Sequence, residues 1–301
     1  MISILIPVYN RDVNQLASQL SQQLTAIGKA GEIVLLDDGS EEKFRRQNAG
    51  TASLPHVRYI DAGTNYGRVR IRQMLAEKAT FEWLLFMDCD SAITSEQFLS
   101  NYFSQLAHES GVVIGGRICT TQPPNDCSLR LHWRYGTERE AIHVKKRNRN
   151  PYRGFMSNNF LIHVSVFEKL SFTDDWQGYG HEDTWIGIQL EEMRARVKYI
   201  DNPILHNGLE TAETFLSKSE QAVHNLRKLQ GMVPAGSLKR HIKLFRAYSR
   251  LRSVGMTWLP KLLYKMQRKN IDTNLHSCNP SLFYFDLYRL NLFIRISGPH
   301  E

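Results

Sequence analysis

The chain has 301 residues, 42% hydrophobic and 23% charged, with a net charge of +8. These proportions exclude global disorder, allow a sizeable buried core and fit a large α/β domain with an appendage. The basic surplus suits anionic partners such as nucleotides, phospholipid headgroups, nucleic acid or phosphorylated substrates; a solvated basic surface is the blander account.

Residues Ile2–Ile6 form an apolar, β-branched run that ends at Pro7-Val8-Tyr9-Asn10. Over Val13–Ile27, Leu16, Leu20 and Leu24 recur every four residues, the spacing of a helix face. A second apolar run, Glu32–Leu36, ends at Asp37-Asp38-Gly39-Ser40 and leads into a polar helical stretch. Val57–Ile60 reads as strand, Gly67–Ala79 as helix and Trp83–Met87 as a fourth buried strand. Short apolar strands alternating with amphipathic helices imply βαβ units and a three-layer α/β sandwich with a mostly parallel sheet. After Val112–Ile118 the stretch Thr120–Asn150 reads as irregular and charged, with a basic run at 145–149. Apolar structure resumes at Phe160–Val166, a helix is expected over Thr184–Arg194, and Val197–Leu205 reads as a strand broken by Asn202-Pro203. From Thr211 onward the pattern is mainly helical, and Pro234-Ala235-Gly236 marks the expected boundary between a catalytic domain, 1–232, and a helical appendage, 233–301.

Cys89, Cys119, Cys127 and Cys278 form no CxxC pair, so neither a zinc ribbon nor a redox dithiol is indicated. Reduced thiols in a cytoplasmic protein are the expectation. The strand that begins at Ile2 leaves no basic leader, so no signal peptide is expected, and no run of about 18 apolar residues predicts a spanning helix.

In open α/β sheets ligands bind beyond the carboxyl ends of the strands, where the polar clusters Pro7–Asn10, Asp37–Ser40 and Asp88–Ser91 fall. Side chains two apart in an extended segment point the same way. Asp88 and Asp90 can therefore converge on one hard cation, magnesium or manganese, of the kind that bridges diphosphate oxygens. Capping of the next helix by the same acids is the competing reading.

The ordered set Ile2–Asn10, Ile33–Ser40, Asn65-Tyr66-Gly67 with Arg72, and Asp88-Cys89-Asp90 resembles the family 2 glycosyltransferases, which have the GT-A fold, across residues 2 to 210. The resemblance implies that Pro7 and Tyr9 line a nucleoside pocket. Asp38 would accept a hydrogen bond from a uracil N–H, since a carboxylate only accepts. Arg72 matches an arginine near the nucleotide, although its element reads Ile71-Arg72-Gln73 rather than Ala-Arg-Asn; surface helix charge is the competing reading for Arg72 and for its neighbours Arg68 and Arg70 alike. Asp88 matches a ribose or metal contact and Asp90 a direct metal ligand. Gly178-Tyr179-Gly180-His181-Glu182-Asp183 resembles the motif whose aspartate, here Asp183, is the base of inverting members, with Glu182 orienting the acceptor; a helix cap at Asp183 with Glu182 complementing the dipole is the competing reading. Trp176, Tyr179 and Trp185 are candidates for stacking on a sugar. His206 matches a third metal ligand, which would favour manganese. Asn158 and Asn159 fall at acceptor-side positions.

The implied activity is inverting transfer of a hexosyl or N-acetylhexosaminyl group from a nucleotide sugar, a UDP-sugar in first place, to a saccharide or lipid-linked acceptor. The setting would be polysaccharide or glycoconjugate synthesis in the cytoplasm. A DxD phosphatase would need its motif at the first strand, and a nucleotidyltransferase a Gly-rich triphosphate loop near the start; neither is present. A non-catalytic binder of nucleotides or other anions is the remaining alternative, and no nucleic-acid motif occurs. Leu238, Ile242, Phe245, Tyr248 and Leu251, interleaved with Lys and Arg, and Leu262, Leu263 and Met266 among further cations, read either as a peripheral face for the inner membrane surface or as packing against the catalytic domain.

Overall fold

The structure, a computed structural model, describes residues 1–106, 111–172 and 178–298. The first half alternates β1 (Ile2–Val8), α1 (Asn14–Ile27), β2 (Gly31–Asp37), α2 (Glu42–Ala49), β3 (Val57–Asp61), α3 (Gly67–Glu77) and β4 (Trp83–Met87). Then come β5 (Ser91–Ile93), α4 (Phe98–Phe103), β6 (Val112–Ile114) and β7 (Arg117–Ile118). The stretch expected to be irregular instead carries α5 (Arg130–Tyr135), a π-turn over Gly136–Glu140 and α6 (Val144–Arg147). These turns are too short for a repeating apolar face, so periodicity could not find them. Next are β8 (Asn159–His163), α7 (Val164–Phe167), α8 (Glu182–Glu192), β9 (Val197–Tyr199) and β10 (Ile204–His206). The chain closes with α9 (Ala212–Met232), α10 (Ala235–His241), α11 (Lys243–Ser253), α12 (Trp258–Leu275) and α13 (Leu282–Ser297).

Seven strands form one sheet in the order β3-β2-β1-β4-β8-β6-β9, with β3, β2, β1 and β4 parallel and β8 antiparallel to both neighbours. A small second sheet runs β5-β10-β7. The strand expected over Val197–Leu205, broken by Asn202-Pro203, is thus two strands, and they lie in different sheets.

The apolar runs follow from burial on both sheet faces. Ile2, Ile4, Ile6 and Val8 enter the core shared with α1 and α4, whereas Leu5 enters the core shared with α3 and α8. Leu85 and Met87 join the first core, and Leu84 and Phe86 the second. Alternation of direction along a strand thus yields a continuous apolar sequence when both sides are covered. Each such side chain contributes about 1.5–3 kcal/mol on burial.

The C-terminal helices form two further cores. Val223, Leu226, Phe245, Tyr248 and Phe293 pack with Ile188 of α8, while Phe215, Ile271, Leu275 and Phe285 pack with Leu131 of α5. The apolar face predicted from Leu238, Ile242, Phe245 and Tyr248, which runs from α10 into α11, is buried, so for these residues packing is the outcome rather than a peripheral membrane face. Leu262, Leu263 and Met266 of α12 stay exposed. A disulfide joins Cys127 to Cys278 across 151 positions, which corrects the expectation of four reduced thiols; Cys89 and Cys119 remain free. The pair lies far apart in sequence with no CxxC spacing, so only the folded chain brings it together.

Asn159 is fully buried and ties the two sheets. Its Nδ2 donates to the carbonyls of Gly116 and Asn202, both at 2.9 Å, and its Oδ1 accepts from the Tyr102 hydroxyl at 2.6 Å. Its side chain is spent on these bonds, which corrects the acceptor-side expectation for this residue. Asn159→Ala should cost roughly 2–4 kcal/mol, read as a lower urea midpoint at unchanged slope. Thiol titration of denatured, non-reduced protein should count two thiols, and four after reduction.

Candidate active site

The site is assembled from the carboxyl ends of β1, β2 and β4, the start of α3 and the start of α8. After β2, the Asp38 N–H donates to the Val8 carbonyl at 2.7 Å, locking the two strand ends together. The Asp38 carboxylate accepts from the backbone N–H groups of Tyr66 at 2.6 Å and Gly67 at 3.1 Å, and so holds the N-terminus of α3. Burial raises its pKa, and these two bonds oppose the rise. Gly39 permits the turn: its φ is +73°, and a Cβ there would sit 2.7 Å from the Asn65 backbone nitrogen. Asp37 is the structural member of the pair, accepting from Ser40 N–H at 2.7 Å and from the Tyr59 hydroxyl at 2.9 Å. Tyr9 and Tyr66 are exposed beside this turn, and Pro7 is half-buried in β1.

The anchored start of α3 aims two arginines at the cleft. Arg72 is buried; it donates to Asp88 Oδ1 at 2.5 Å and to the Arg68 carbonyl at 2.9 Å. Arg68 lies 3.4 Å from Glu182 Oε1 and 4.0 Å from Asp88 Oδ2, with its guanidinium 4.9 Å from the Tyr179 ring. Arg68 is therefore a bridge between the end of β4 and the start of α8, not surface charge. Arg70 does face outward, paired with Glu77. Arg68, Arg72, Ser157 and Glu182 border a small, mainly apolar cavity of about 30 Å³ whose other walls include Phe160, Phe167 and Trp185.

Asp183 lies in the first turn of α8, behind His181, which occupies the cap position at φ 71° without a side-chain capping bond. Asp183 is thus not the helix cap. Burial raises its carboxyl to about 6, the adjacent Glu182 adds to the rise, and a hydrogen bond from Ser157 opposes it. Its Oδ1 is buried with no partner. The preceding loop is held by α9: Gln221 accepts from Tyr179 N–H at 3.2 Å, and Asn225 donates to the Tyr179 carbonyl at 3.2 Å. Tyr179 lies between the cations of Arg68 and Lys218 rather than open to a sugar face. Trp185 donates to the Ser171 carbonyl at 2.8 Å and packs on the C-terminal core. Trp176 lies outside the described residues. Asn158 is buried, and both polar atoms of its amide lack partners.

Asp90 and His206 meet across the second sheet, with His206 Nε2 3.1 Å from Asp90 Oδ2. Burial works against the ionised Asp90, yet the His206 hydrogen bond and charge bring it down to about 2. Asp90 Oδ1 and His206 Nδ1 are buried without partners. Gly208 makes the pair possible, because a Cβ there would collide with the Asp90 carboxylate. Asp88, expected beside them, instead faces Arg72 and Arg68. The reason is geometric: Ser91 N–H donates to the Asp88 carbonyl in a turn, so Asp88 and Asp90 are not in extended register. Among the described residues no group of three His, Cys, Asp or Glu gathers as a ready metal cage.

Several contributors carried no sequence signal. Ser157 was visible only as the residue before Asn158. Arg117, 3.1 Å from Glu140, keeps Nε and one terminal nitrogen buried without partners. His132 of α5 lies 5.5 Å from the His206 ring and stacks on Phe215; burial, then His206, lowers its pKa to about 3.

The raised pKa of Asp183 carries a stability consequence. The folded state holds the proton more tightly than the unfolded chain, so stability falls as pH rises from the ordinary aspartate range through about 6. Asp183→Asn should raise the melting midpoint at pH 7 by a few °C, on the order of 2 kcal/mol or less, and give no gain near pH 4.

The family model described as Glycosyl transferase family 2 matches residues 3–171. A curated relative from Haemophilus influenzae, an uncharacterized glycosyltransferase, is 33% identical over 99 residues, 32% of each chain, so the match spans about a third of that relative's length. Among solved structures, the mannosyltransferase PcManGT from Pyrobaculum calidifontis with GDP-Man and Mn2+ aligns at TM-score 0.53 and 14% identity, covering 97% of this chain and 87% of that one. Glucosyl-3-phosphoglycerate synthase from Mycobacterium tuberculosis with Mn2+, UDP and glucosyl-3-phosphoglycerate aligns at 0.53 and 12%, covering 78% and 81%. S. aureus TarS 1-349 with UDP-GlcNAc aligns at 0.51 and 16%, covering 98% and 88%. At such identities the likeness speaks to the fold, which is GT-A. With the family match covering more than half its length and joining β1, β2, α3 and β4 to the cleft they build, this chain belongs to glycosyl transferase family 2.

Proposed function

We propose that the protein transfers a hexosyl or N-acetylhexosaminyl group from a UDP-sugar to a hydroxyl of a saccharide or lipid-linked saccharide, with inversion. The observation that carries this reading is Asp183: a buried carboxylate raised to about 6, with one oxygen unpartnered, in contact with the charge network that reaches β4. A general base with that pKa is ionised at neutral pH and still basic enough to take a hydroxyl proton. In the proposed step Asp183 accepts the acceptor proton as the oxygen attacks the anomeric carbon. The bond from that carbon to the diphosphate oxygen breaks on the opposite face. Arg68 and Arg72 are the nearby cations that favour negative charge growing on the departing diphosphate. Glu182, held by Arg68, is suited to orienting the acceptor, and the free amide of Asn158 to a sugar hydroxyl. Pro7, Tyr9 and Asp38 would receive the nucleoside.

The relatives solved with Mn2+ or Mg2+ and nucleotide support use of a divalent cation. The residues present fit one: a partnerless oxygen on Asp90, the facing imidazole of His206 and the space left by Gly208. Asp90 and His206 would hold it, with diphosphate oxygens completing the shell, and a histidine ligand favours manganese over magnesium. Bound there, the cation would supply electrostatic stabilisation of the leaving diphosphate.

Asp183→Asn should keep metal-dependent UDP binding while transfer falls by about 10²–10⁴-fold. Normal transfer by that variant would remove Asp183 from the role of base. Because the base must be ionised, kcat/KM should rise with pH through about 6 and level off above it. Asp90→Ala should abolish manganese-dependent UDP binding measured by calorimetry; unchanged binding would contradict the metal assignment.

A further inference from the structure

A second anion-binding feature lies away from the catalytic cleft. A cleft of about 430 Å³ between α10, α11 and the Tyr152–Gly154 turn is lined by Arg153, Lys239, Arg240, Arg246 and Arg250 with two serines, and by no carboxylate. Glu191 lies beside it, taken by Arg240 at 3.4 Å and His241 at 2.7 Å. Arg246 is held in place by donating to the carbonyls of Lys239 at 2.7 Å and Arg240 at 2.9 Å. Among the described residues, the side chains of Arg153, Lys239 and Arg250 take part in no ion pair. Glu191 is in the last turn of α8 and Asp183 in the first, so eight residues of helix, about 12 Å along the axis, separate the two sites. The donor diphosphate is therefore not the anion this cleft serves.

The chemistry beside the cleft identifies its occupant. One residue past its rim at Ser253, the chain exposes Val254, Met256 and Trp258, then Leu262 and Met266 along α12. Trp258 is 56% exposed and Met266 69%. Trp258, Leu262 and Met266 recur every four residues and form one outward stripe. Exposed Lys261, Lys265 and Lys269 flank it, while Pro260, Ile271 and Leu275 on the other side of the helix are buried. A soluble phosphorylated ligand would need the cations but not the bare stripe. Nucleic acid would likewise leave the aliphatic residues unused. A phospholipid surface uses both, its phosphates meeting the cations and its headgroup–acyl boundary receiving tryptophan and aliphatic side chains.

We infer that the α10–α11 cleft and the outward stripe of α12 together seat the protein on an anionic phospholipid surface. The cleft takes lipid phosphates, and Trp258, Leu262 and Met266 enter the boundary layer. No helix among the described residues is long and apolar enough to cross a membrane, so the contact is peripheral.

Sedimentation of the full chain with vesicles tests this. Wild type should pellet with phosphatidylcholine vesicles containing phosphatidylglycerol, not with phosphatidylcholine alone, and less as salt rises. The double variants Lys239→Glu/Arg250→Glu and Trp258→Ser/Met266→Ser should each weaken binding by about tenfold or more at unchanged melting temperature and UDP binding. Independently of folding in those variants, brominated phosphatidylglycerol should quench wild-type tryptophan fluorescence, and Trp258→Phe should remove most of the quenching. Equal pelleting of wild type and the charge-reversed variant would overturn the inference. So would tight binding of inorganic phosphate in the cleft without any vesicle association, which would mark a site for a soluble anion.

Discussion

The bridge made by Arg68 is the contact on which the candidate site depends. Asp88, Glu182 and Asp183 come from two segments nearly a hundred residues apart, and their charges repel. Half-buried carboxylates converge only where cations compensate their loss of water. Arg68 reaches Glu182 and Asp88 at once, and Arg72 completes the neutralisation of Asp88. Asp183 is left as the under-compensated member, which is why its proton is held more tightly than usual. Charge is unequal across the cluster, and that inequality separates an acid that is only paired from one whose proton is held more tightly, the acid proposed as base.

Arg68 can serve this way because α3 starts at one defined place. The Asp38 carboxylate grips Tyr66 and Gly67 N–H groups, and its own N–H is tied to Val8. The N-terminus of α3 is therefore registered to the ends of β1 and β2. On the other side, α9 grips the loop before α8 through Gln221 and Asn225, and α13 packs on α9. The C-terminal helices are thus part of the scaffold that positions Glu182 and Asp183, joined to the α/β layers through Ile188, Leu131 and the Cys127–Cys278 bond. The same helices turn a second face outward, where α12 exposes apolar and basic side chains together.

Much of this organisation was readable in the chain. The first four strands and the helices between them announce themselves, because burial on both sheet faces demands unbroken apolar runs and one-sided burial demands helical spacing. The polar groups at the strand ends were legible for the same reason, standing where the apolar runs stop. Less was legible between Thr120 and Asn150, where single helical turns carry no period, and around Asn202-Pro203, where the break was visible but not that the pieces on its two sides join different sheets. Asn159 shows the limit for single residues. Its neighbour Asn158 turns a free amide inward with no protein partner, while Asn159 spends its amide joining the sheets, and adjacent identical residues give no hint of which does which.

The sequence by itself determined the layered α/β plan and the family, and it singled out Asp38, Asp90 and Asp183 as candidates, since these rest on local patterns of burial and on motifs within short segments. Tertiary structure alone decided how those acids differ: Asp88 drawn to arginine, Asp90 to His206, Asp183 left with a raised pKa. It also decided that the apolar side of α11 is buried while that of α12 is bare, and that Cys127 meets Cys278. Desolvation, ion pairing and the covering of a helix face depend on what other segments deliver to the same point in space, and spacing along one segment does not encode that.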